Sequence, residues 1–363
     1  MSEALQKELS VVRDEIDSLD AQLLDLLNRR AKCAQKVGEI KARHGDAGFI
    51  YRPEREAQVL RRIRGLNPGP LSNESVTWFF REVMSACLSL EEPLGVAFLG
   101  PFGSFTGSAA VKHFGHAARL LPQTSIDDVF REVEAGHAHY AVAPIENSTE
   151  GAVGRTLDLL LGTQLKICGE VVLRIHQNLM TRVASLGEVK TVYSHAQSLA
   201  QCHEWLNRAL PGVPRISVGS NSQAAQMAAA DPTAAAIAGE TAAQLYDVPI
   251  LVPNIEDEPN NTTRFVVLGS QEAGASGRDK TSLIMSATNQ TGTLSTLLAP
   301  FSDAGVSLTR LESRPARHTL WEYVFFVDIE GHRDDAPVRA ALDELARRAA
   351  YLKVLGSYPA AVY

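Results

Sequence analysis

The sequence predicts a three-part chain: an all-helical N-terminal domain, a two-lobed α/β domain and a small α+β domain at the C-terminal end. Three changes of pattern carry that reading. Residues 1–92 repeat apolar side chains in steps of three and four among many charges. Residues 93–270 turn to short apolar runs, each followed by small polar residues and a helical stretch. Residues 280–363 follow the order β-α-β-β-α-β, the split, ferredoxin-like arrangement. The Gly- and Ser-containing segment 271–279 reads as a linker.

The first helix is predicted from about residue 3 to 43, close to 60 Å long at ~1.5 Å per residue. Leu5, Leu9, Val12, Ile16, Leu19, Leu23 and Leu26 form its apolar stripe, and the next step lands on Arg30. Such a rod cannot bury its stripe against itself, so it calls for partner helices or a second chain. A cation in that seam is costly unless an anion meets it there. Lys41 lies eleven residues further, on nearly the same face, so the two cations suit opposite ends of one small dianion. Arg13 points elsewhere and reaches the same ligand only from an antiparallel second chain, which implies an intertwined dimer. In the blander reading, Arg30 snorkels out and pairs with Glu56 or another carboxylate. "RPEREAQVLRRIRGL" gives the second helix, with Pro53 in its first turn, and "LSNESVTWFFREVMSACLSLEE" the third, capped by Ser72.

In the α/β part, "LGVAFLG", "YAVAPI", "VKTVYS" and "RISVG" are strands that feed helix N-termini, where such units bind ligands. This places Ser104 and Thr106 in a glycine turn, Glu146 and Asn147 beyond one strand, and Ser194 and His195 beyond another. "HAQSLAQCHEWLNRAL" reads as one helix carrying Gln201. The glycine turn is neither GxGxxG nor GxxxxGK[ST], so no nucleotide is assigned. A Ser/His/Glu triad lacks the G-x-S-x-G elbow, and adjacent Ser and His do not set a base on a nucleophile. Arg264, in "NNTTRF", suits a carboxylate at a cleft mouth. In the last part "KTSLIMSATN", "VSLTRLESRPA", "LWEYVFFVDIEG" and "YLKVLGSYP" read as strands.

The 363 residues carry Asp+Glu 42 against Lys+Arg 35, a net charge of −7, which argues against nucleic-acid or anionic-membrane partners. Cys33, Cys87, Cys168 and Cys202 form no CxxC pair and no cluster of metal-ligand spacing, so no metal is assigned and a reduced, cytoplasmic protein is the simplest fit. The opening "MSEALQKELS" shows no signal peptide, and no apolar stretch nears the roughly 18 residues of a membrane span.

"RDEIDSLDAQLLDLLNRRAKCAQKVGEIK" followed by "YRPEREAQVL" resembles the all-helical chorismate mutase domain. The resemblance implies that Arg13 is the partner-chain arginine, and that Arg30 and Lys41 grip the carboxylates and ether oxygen. Arg55 and Glu56 match the family's "RE" pair, the glutamate accepting the substrate hydroxyl. Glu91 falls near the ether oxygen, where it donates only if protonated. Arg52 stands where some relatives have aspartate and Cys87 where serine is common. "LGPFGSFT", "PIENSTEGAVGRTLDLL", "SHAQSLAQC" and "TTRF" resemble prephenate dehydratase, with a periplasmic-binding-type fold. That resemblance implies that Thr263 bonds to the leaving hydroxyl, with Glu146 as the rival proton donor. Arg264 would anchor a carboxylate, while Ser104, Thr106, Asn147, Ser194, His195 and Gln201 orient the substrate. "TNQTGTLSTLLAPFSDAGVSLTRLESRP" resembles a phenylalanine-sensing ACT domain, implying an effector site at Gly292, Thr293 and Leu294 with Glu312, Ser313, Arg314 and Pro315.

Together these imply conversion of chorismate to prephenate and of prephenate to phenylpyruvate, feedback by phenylalanine, and a homodimer or higher even oligomer. The alternatives are a dehydratase whose helical arm only dimerises and a non-catalytic module for small anions. A mere dimerisation arm gives no reason to set Arg30 and Lys41 on the stripe.

Overall fold

A computed structural model describes residues 3–44, 49–288, 290–315 and 323–361. The first helix, α1 (Glu3–Arg43), runs 41 residues without burying one of them. Its stripe from Leu5 to Leu26 stands 37 to 56% exposed. Toward the C-terminal end one face is half-covered, made of Leu27, Arg30, Ala31, Ala34, Gly38 and Lys41. That face lies on α3 (Asn73–Leu88), whose partner is α2 (Pro53–Leu66). Ser72 caps α3 by accepting from the Ser75 N–H at 3.0 Å. Tyr51 ties this domain to the next: it is buried, its hydroxyl is 3.0 Å from His113 Nε2, and its ring packs on Phe114 and Tyr140. Burial drives the His113 pKa down to about 3, so the ring stays neutral.

The α/β part alternates β1 (Gly95–Leu99), α4 (Phe105–Phe114), β2 (Arg119–Gln123), α5 (Ile126–Glu134), β3 (Tyr140–Asn147), β4 (Gly151–Ala152), α6 (Gly154–Gly162) and β5 (Lys166–Arg174). The chain then crosses to a second lobe of β6 (Asn178–Thr181), β7 (Thr191–Ser194), α7 (Ala196–Gln201), α8 (His203–Ala209), β8 (Arg215–Ser217), α9 (Asn221–Ala230), β9 (Ala234–Ala238), α10 (Glu240–Tyr246) and β10 (Ile250–Val252). It returns as β11 (Thr262–Gly269), which inserts antiparallel between β3 and β5. The first-lobe sheet therefore has the order β2-β1-β3-β11-β5, with β4 on β3, and the second the order β10-β6-β9-β7-β8. Two crossings between lobes leave a cleft beside the β3 and β11 ends.

The last part is β12 (Asp279–Ser286), α11 (Thr293–Asp303), β13 (Leu308–Pro315), β14 (Tyr323–Glu330), α12 (Ala336–Arg348) and β15 (Tyr351–Pro359), with sheet order β13-β14-β12-β15. This is the expected β-α-β-β-α-β order. The first three residues of the run read as its third strand, 320–322, lie outside the described residues. The sheet shares a core with the first lobe, since Ile284, Phe326 and Tyr358 pack in one cluster with Leu157, Leu160 and Val266. Segment 271–279 is held rather than loose. Gln271 Nε2 donates to Tyr51 O at 3.1 Å and Arg61 Nη2 to Ser276 O at 2.5 Å. Asp279 also accepts from the Ser276 N–H at 2.8 Å. Its small polar residues, which read as a spacer, instead satisfy one another's backbone groups.

Gly356 is where β15 meets β5: a Cβ there would overlap the backbone carbonyl of Ile167. Gly356→Ala is expected to cost about 1–3 kcal/mol, as overpacking does. Calorimetry should show a lowered unfolding midpoint, and an unchanged one would refute this close approach.

Candidate active sites

Register decides what the α/β cleft contains. Thr263 on β11 lies opposite Asn147 on β3, and Arg264 opposite Glu146. Successive strand residues face opposite sides, so the first pair faces the cleft and the second the C-terminal sheet. On the cleft side Asn147 Nδ2 donates to Thr263 Oγ1 at 2.8 Å and to Asn261 Oδ1 at 2.8 Å. Asn147 Oδ1 accepts from the backbone N–H groups of Thr149 at 3.0 Å and Glu150 at 3.1 Å. Gln201 arrives from the second lobe, its Oε1 accepting from Asn261 Nδ2 at 3.0 Å. A cavity of about 200 Å³ opens beside them, lined by Thr149, Glu150, Gln201, Glu256, Asp257 and Asn261.

The helix read across "HAQSLAQCHEWLNRAL" breaks at Cys202, directly after Gln201. The cause is Asp257, whose carboxylate takes the N–H groups of Glu204 at 2.9 Å and Trp205 at 3.0 Å and so starts a new helix. Ser194 is fully buried, its Oγ 2.8 Å from Ile237 O and 3.0 Å from Asn221 Oδ1. His195 caps α7, accepting from the Gln197 N–H at 3.4 Å. Both therefore shape the strand end. Ser104 caps α4 by accepting from the Gly107 N–H at 3.2 Å and donates to Leu99 O at 2.9 Å, while Thr106 is buried. Their turn touches the second lobe, with Phe105 packed against Gly239.

On the opposite side stands a cluster of charges. Arg264 reaches Asp328 at 2.6 Å, Glu170 at 3.4 Å and Glu146 at 3.5 Å. Arg310 meets Glu146 at 3.1 Å and Lys280 meets Glu170 at 2.8 Å. Burial opposes the Arg264 charge, but Asp328, then Tyr358 and Glu170, hold its pKa above the ordinary value. The structure thus does not bring Arg264 or Glu146 to the Thr263 hydroxyl. They join β3 and β11 to the C-terminal domain.

In the helical domain, Arg30 Nη1 donates to Cys87 Sγ at 3.0 Å. The Glu91 side chain lies against Gly38, where an added Cβ would come within 2.9 Å of its carboxyl carbon. Lys41 lies on the same half-covered face, so Arg30, Lys41, Cys87 and Glu91 line the α1–α3 seam. Arg30 does not pair with Glu56, which instead meets Arg81 at 3.3 Å in a cavity with Tyr51 and His113. Burial raises the Glu56 pKa, and Arg81 opposes that rise. Arg55 and Arg13 are exposed.

In the C-terminal domain, Gly292 takes the left-handed conformation (φ 80°) before α11, and Leu294 packs on the core. Thr293 lines a cavity of about 320 Å³ with Thr288, Gln290, Thr296 and Arg348. On β13, Arg310, Glu312 and Arg314 turn inward while Ser313 and Pro315 are exposed. Arg314 meets Asp158 of α6 at 3.2 Å. Sequence reasoning missed Asn261, Glu170, Arg310 and Asp328. Only Asn261 carried a signal, lying two residues before Thr263 in "NNTTRF".

The family model of prephenate dehydratase matches residues 96–273, that of type II chorismate mutase residues 12–92, and that of the ACT domain residues 281–347. A bifunctional chorismate mutase/prephenate dehydratase of Neisseria gonorrhoeae is 55% identical and covers 100% of both chains. The protein of that description from Aquifex aeolicus is 43% identical, over 98% of this chain and 99% of its own. A solved prephenate dehydratase of Arthrobacter aurescens, in complex with L-Phe, matches with a TM-score of 0.67 and 34% identity, over 73% of this chain and 89% of that one.

Proposed function

The chain belongs to the family of bifunctional chorismate mutase/prephenate dehydratases, and from that premise we propose how its residues divide the work. It rearranges chorismate to prephenate and converts prephenate to phenylpyruvate, the carbon skeleton of phenylalanine. The first step breaks a C–O bond and forms a C–C bond within one molecule, so it needs holding and charge placement rather than a nucleophile. Arg30 and Lys41, on one face of α1, bind the carboxylates and the ether oxygen. Glu91 stands across the same seam, near where the ether oxygen would lie, while Glu56, paired with Arg81 in a separate cavity, and the exposed Arg55 stand apart from it. A second copy, laid antiparallel against the exposed leucine stripe, supplies Arg13. The free cysteines suit a cytoplasmic setting.

In the second reaction the ring carboxylate leaves as CO2, its bonding pair enters the ring, and the C–O bond to the ring hydroxyl breaks. A donor at that hydroxyl helps it leave. One observation carries the choice of Thr263. Its oxygen accepts from Asn147, and its own proton has no acceptor among the described residues. Glu146, on the far side of the strand pair, is engaged by Arg264 and Arg310. Ser104, Thr106, Ser194 and His195 shape the cleft, and Gln201 contacts the substrate. Phenylalanine acts from the ACT domain, at the Gly292–Leu294 turn and the Glu312–Pro315 strand, and β13 carries its effect to Glu146 through Arg310.

Feeding the purified protein chorismate alone, with prephenate and phenylpyruvate followed over time, tests the whole scheme. Phenylpyruvate should appear through prephenate and slow when phenylalanine is added. Chorismate left intact while added prephenate is consumed would remove the mutase assignment.

A further inference from the structure

The cleft contains a run of side-chain amides whose direction is set at one end. Asn147 Oδ1 accepts two backbone N–H groups, from Thr149 and Glu150, and the Thr149 hydroxyl at 2.6 Å. Backbone N–H groups cannot accept, so this amide has one permitted orientation, with its NH2 toward Asn261 and Thr263. Asn261 must then offer its oxygen to Asn147, which turns its own NH2 to Gln201. Gln201 must in turn offer its oxygen, which also accepts from Gln177 Nε2 at 3.1 Å. The NH2 of Gln201 is left on the cavity side, where among the described residues it donates to the Thr149 hydroxyl at 3.5 Å. Asn261 is 1% exposed, so water does not compete for either of its bonds.

We infer that Asn261 is a positioning residue for dehydration. It carries the polarity of the 147–150 turn across to the second lobe, so that Gln201 presents N–H rather than carbonyl oxygen to an anionic substrate. The same turn makes Thr263 an acceptor toward Asn147 and hence a donor toward the cleft. Thr263 and Gln201 then both offer donors at a cavity whose lining also holds the carboxylates of Glu150, Glu256, Asp257 and Glu258, and an amide reversed at Asn261 would add a carbonyl dipole against the substrate's negative charge. Bonds arranged head to tail in this way also polarise one another. The inference rests on the assignment of the Thr263 cleft as the dehydratase site.

The test is a double-mutant cycle on the full chain, with added prephenate as substrate. Asn261→Asp keeps the shape and the acceptor for Asn147 but replaces the donor toward Gln201 with a second acceptor. It should lower dehydratase kcat/KM about 100-fold, the usual scale for misplaced groups, with mutase turnover unchanged. In a Gln201→Leu background the same change should add less than about threefold, because residues acting through one another are not additive. If the Asp variant does not fold, by mutase turnover and melting, Asn261→Ala enters the same cycle. Additive losses, or an unaffected kcat/KM, would overturn the role given to Asn261. Thr263→Val is measured alongside. Its inactivity with Asn261 variants fully active would overturn this inference alone, whereas full activity of Thr263→Val would overturn the site assignment as well.

Discussion

Thr263→Val is expected to lower prephenate turnover about 10²–10³-fold, the cost of removing one donor aimed at developing charge. Conversion of chorismate to prephenate should continue, so prephenate should accumulate. The substitution keeps the branched shape and removes only the hydroxyl. It also leaves one Asn147 N–H without its acceptor, which costs stability of about 1–3 kcal/mol. Thr263→Ser separates the two effects, because it restores the hydroxyl at the same Cβ. Recovery in the Ser variant would locate the loss in the donated bond. A Val variant with normal turnover would return Glu146 to consideration, and with it a substrate on the other face of β11.

Arg30→Ala should lower mutase turnover at least about 10²-fold, by the same reasoning about charge aimed at reacting oxygens. Added prephenate should still be dehydrated at the normal rate. The physical ground is separation: Arg30 meets Cys87 in the α1–α3 seam, whereas Thr263 lies in a cleft of the α/β domain. Truncation also removes a cation from the half-covered face of α1, so folding is not expected to suffer. Equal loss of both activities in a folded variant would defeat the idea of two independent sites.

The sequence disclosed most where one side of an element decides its composition. The long first helix was legible from its stripe and its lack of proline. The order of the last domain was legible from strands with an apolar inner face. Strand β5, "KICGEVVLR", was not, because Glu170 sits in the middle of it and reads as a solvated position. Glu170 is 4% exposed because Lys280 and Arg264 meet it there, and Lys280 comes from a different domain. No local pattern records a partner 110 residues away. Arg264 and Glu146 illustrate the same limit from the other direction. Their residue types fit a carboxylate site, and proximity to Thr263 and Asn147 placed them beside it. Strand alternation sends them through to the other face, and that depends on which strands pair and in what register. At Gln201 the difficulty was the helix break, caused by an aspartate on a distant crossing segment.

The charged cluster under β3 and β11 bears on whether the enzyme can be divided. A protein made of three recognisable parts invites excision at their seams, and residue 270 looks like such a seam. Cutting there would strip Asp328 and Lys280 from Arg264 and Glu170, leaving ionised groups arranged for neighbours no longer present. It would also uncover the apolar surface that Phe326 and Tyr358 share with the first lobe. An excised catalytic fragment would therefore need a redesigned back wall, with polar residues in place of that surface and a new counter-charge for Arg264. The parts are separable as text but interlocked as material.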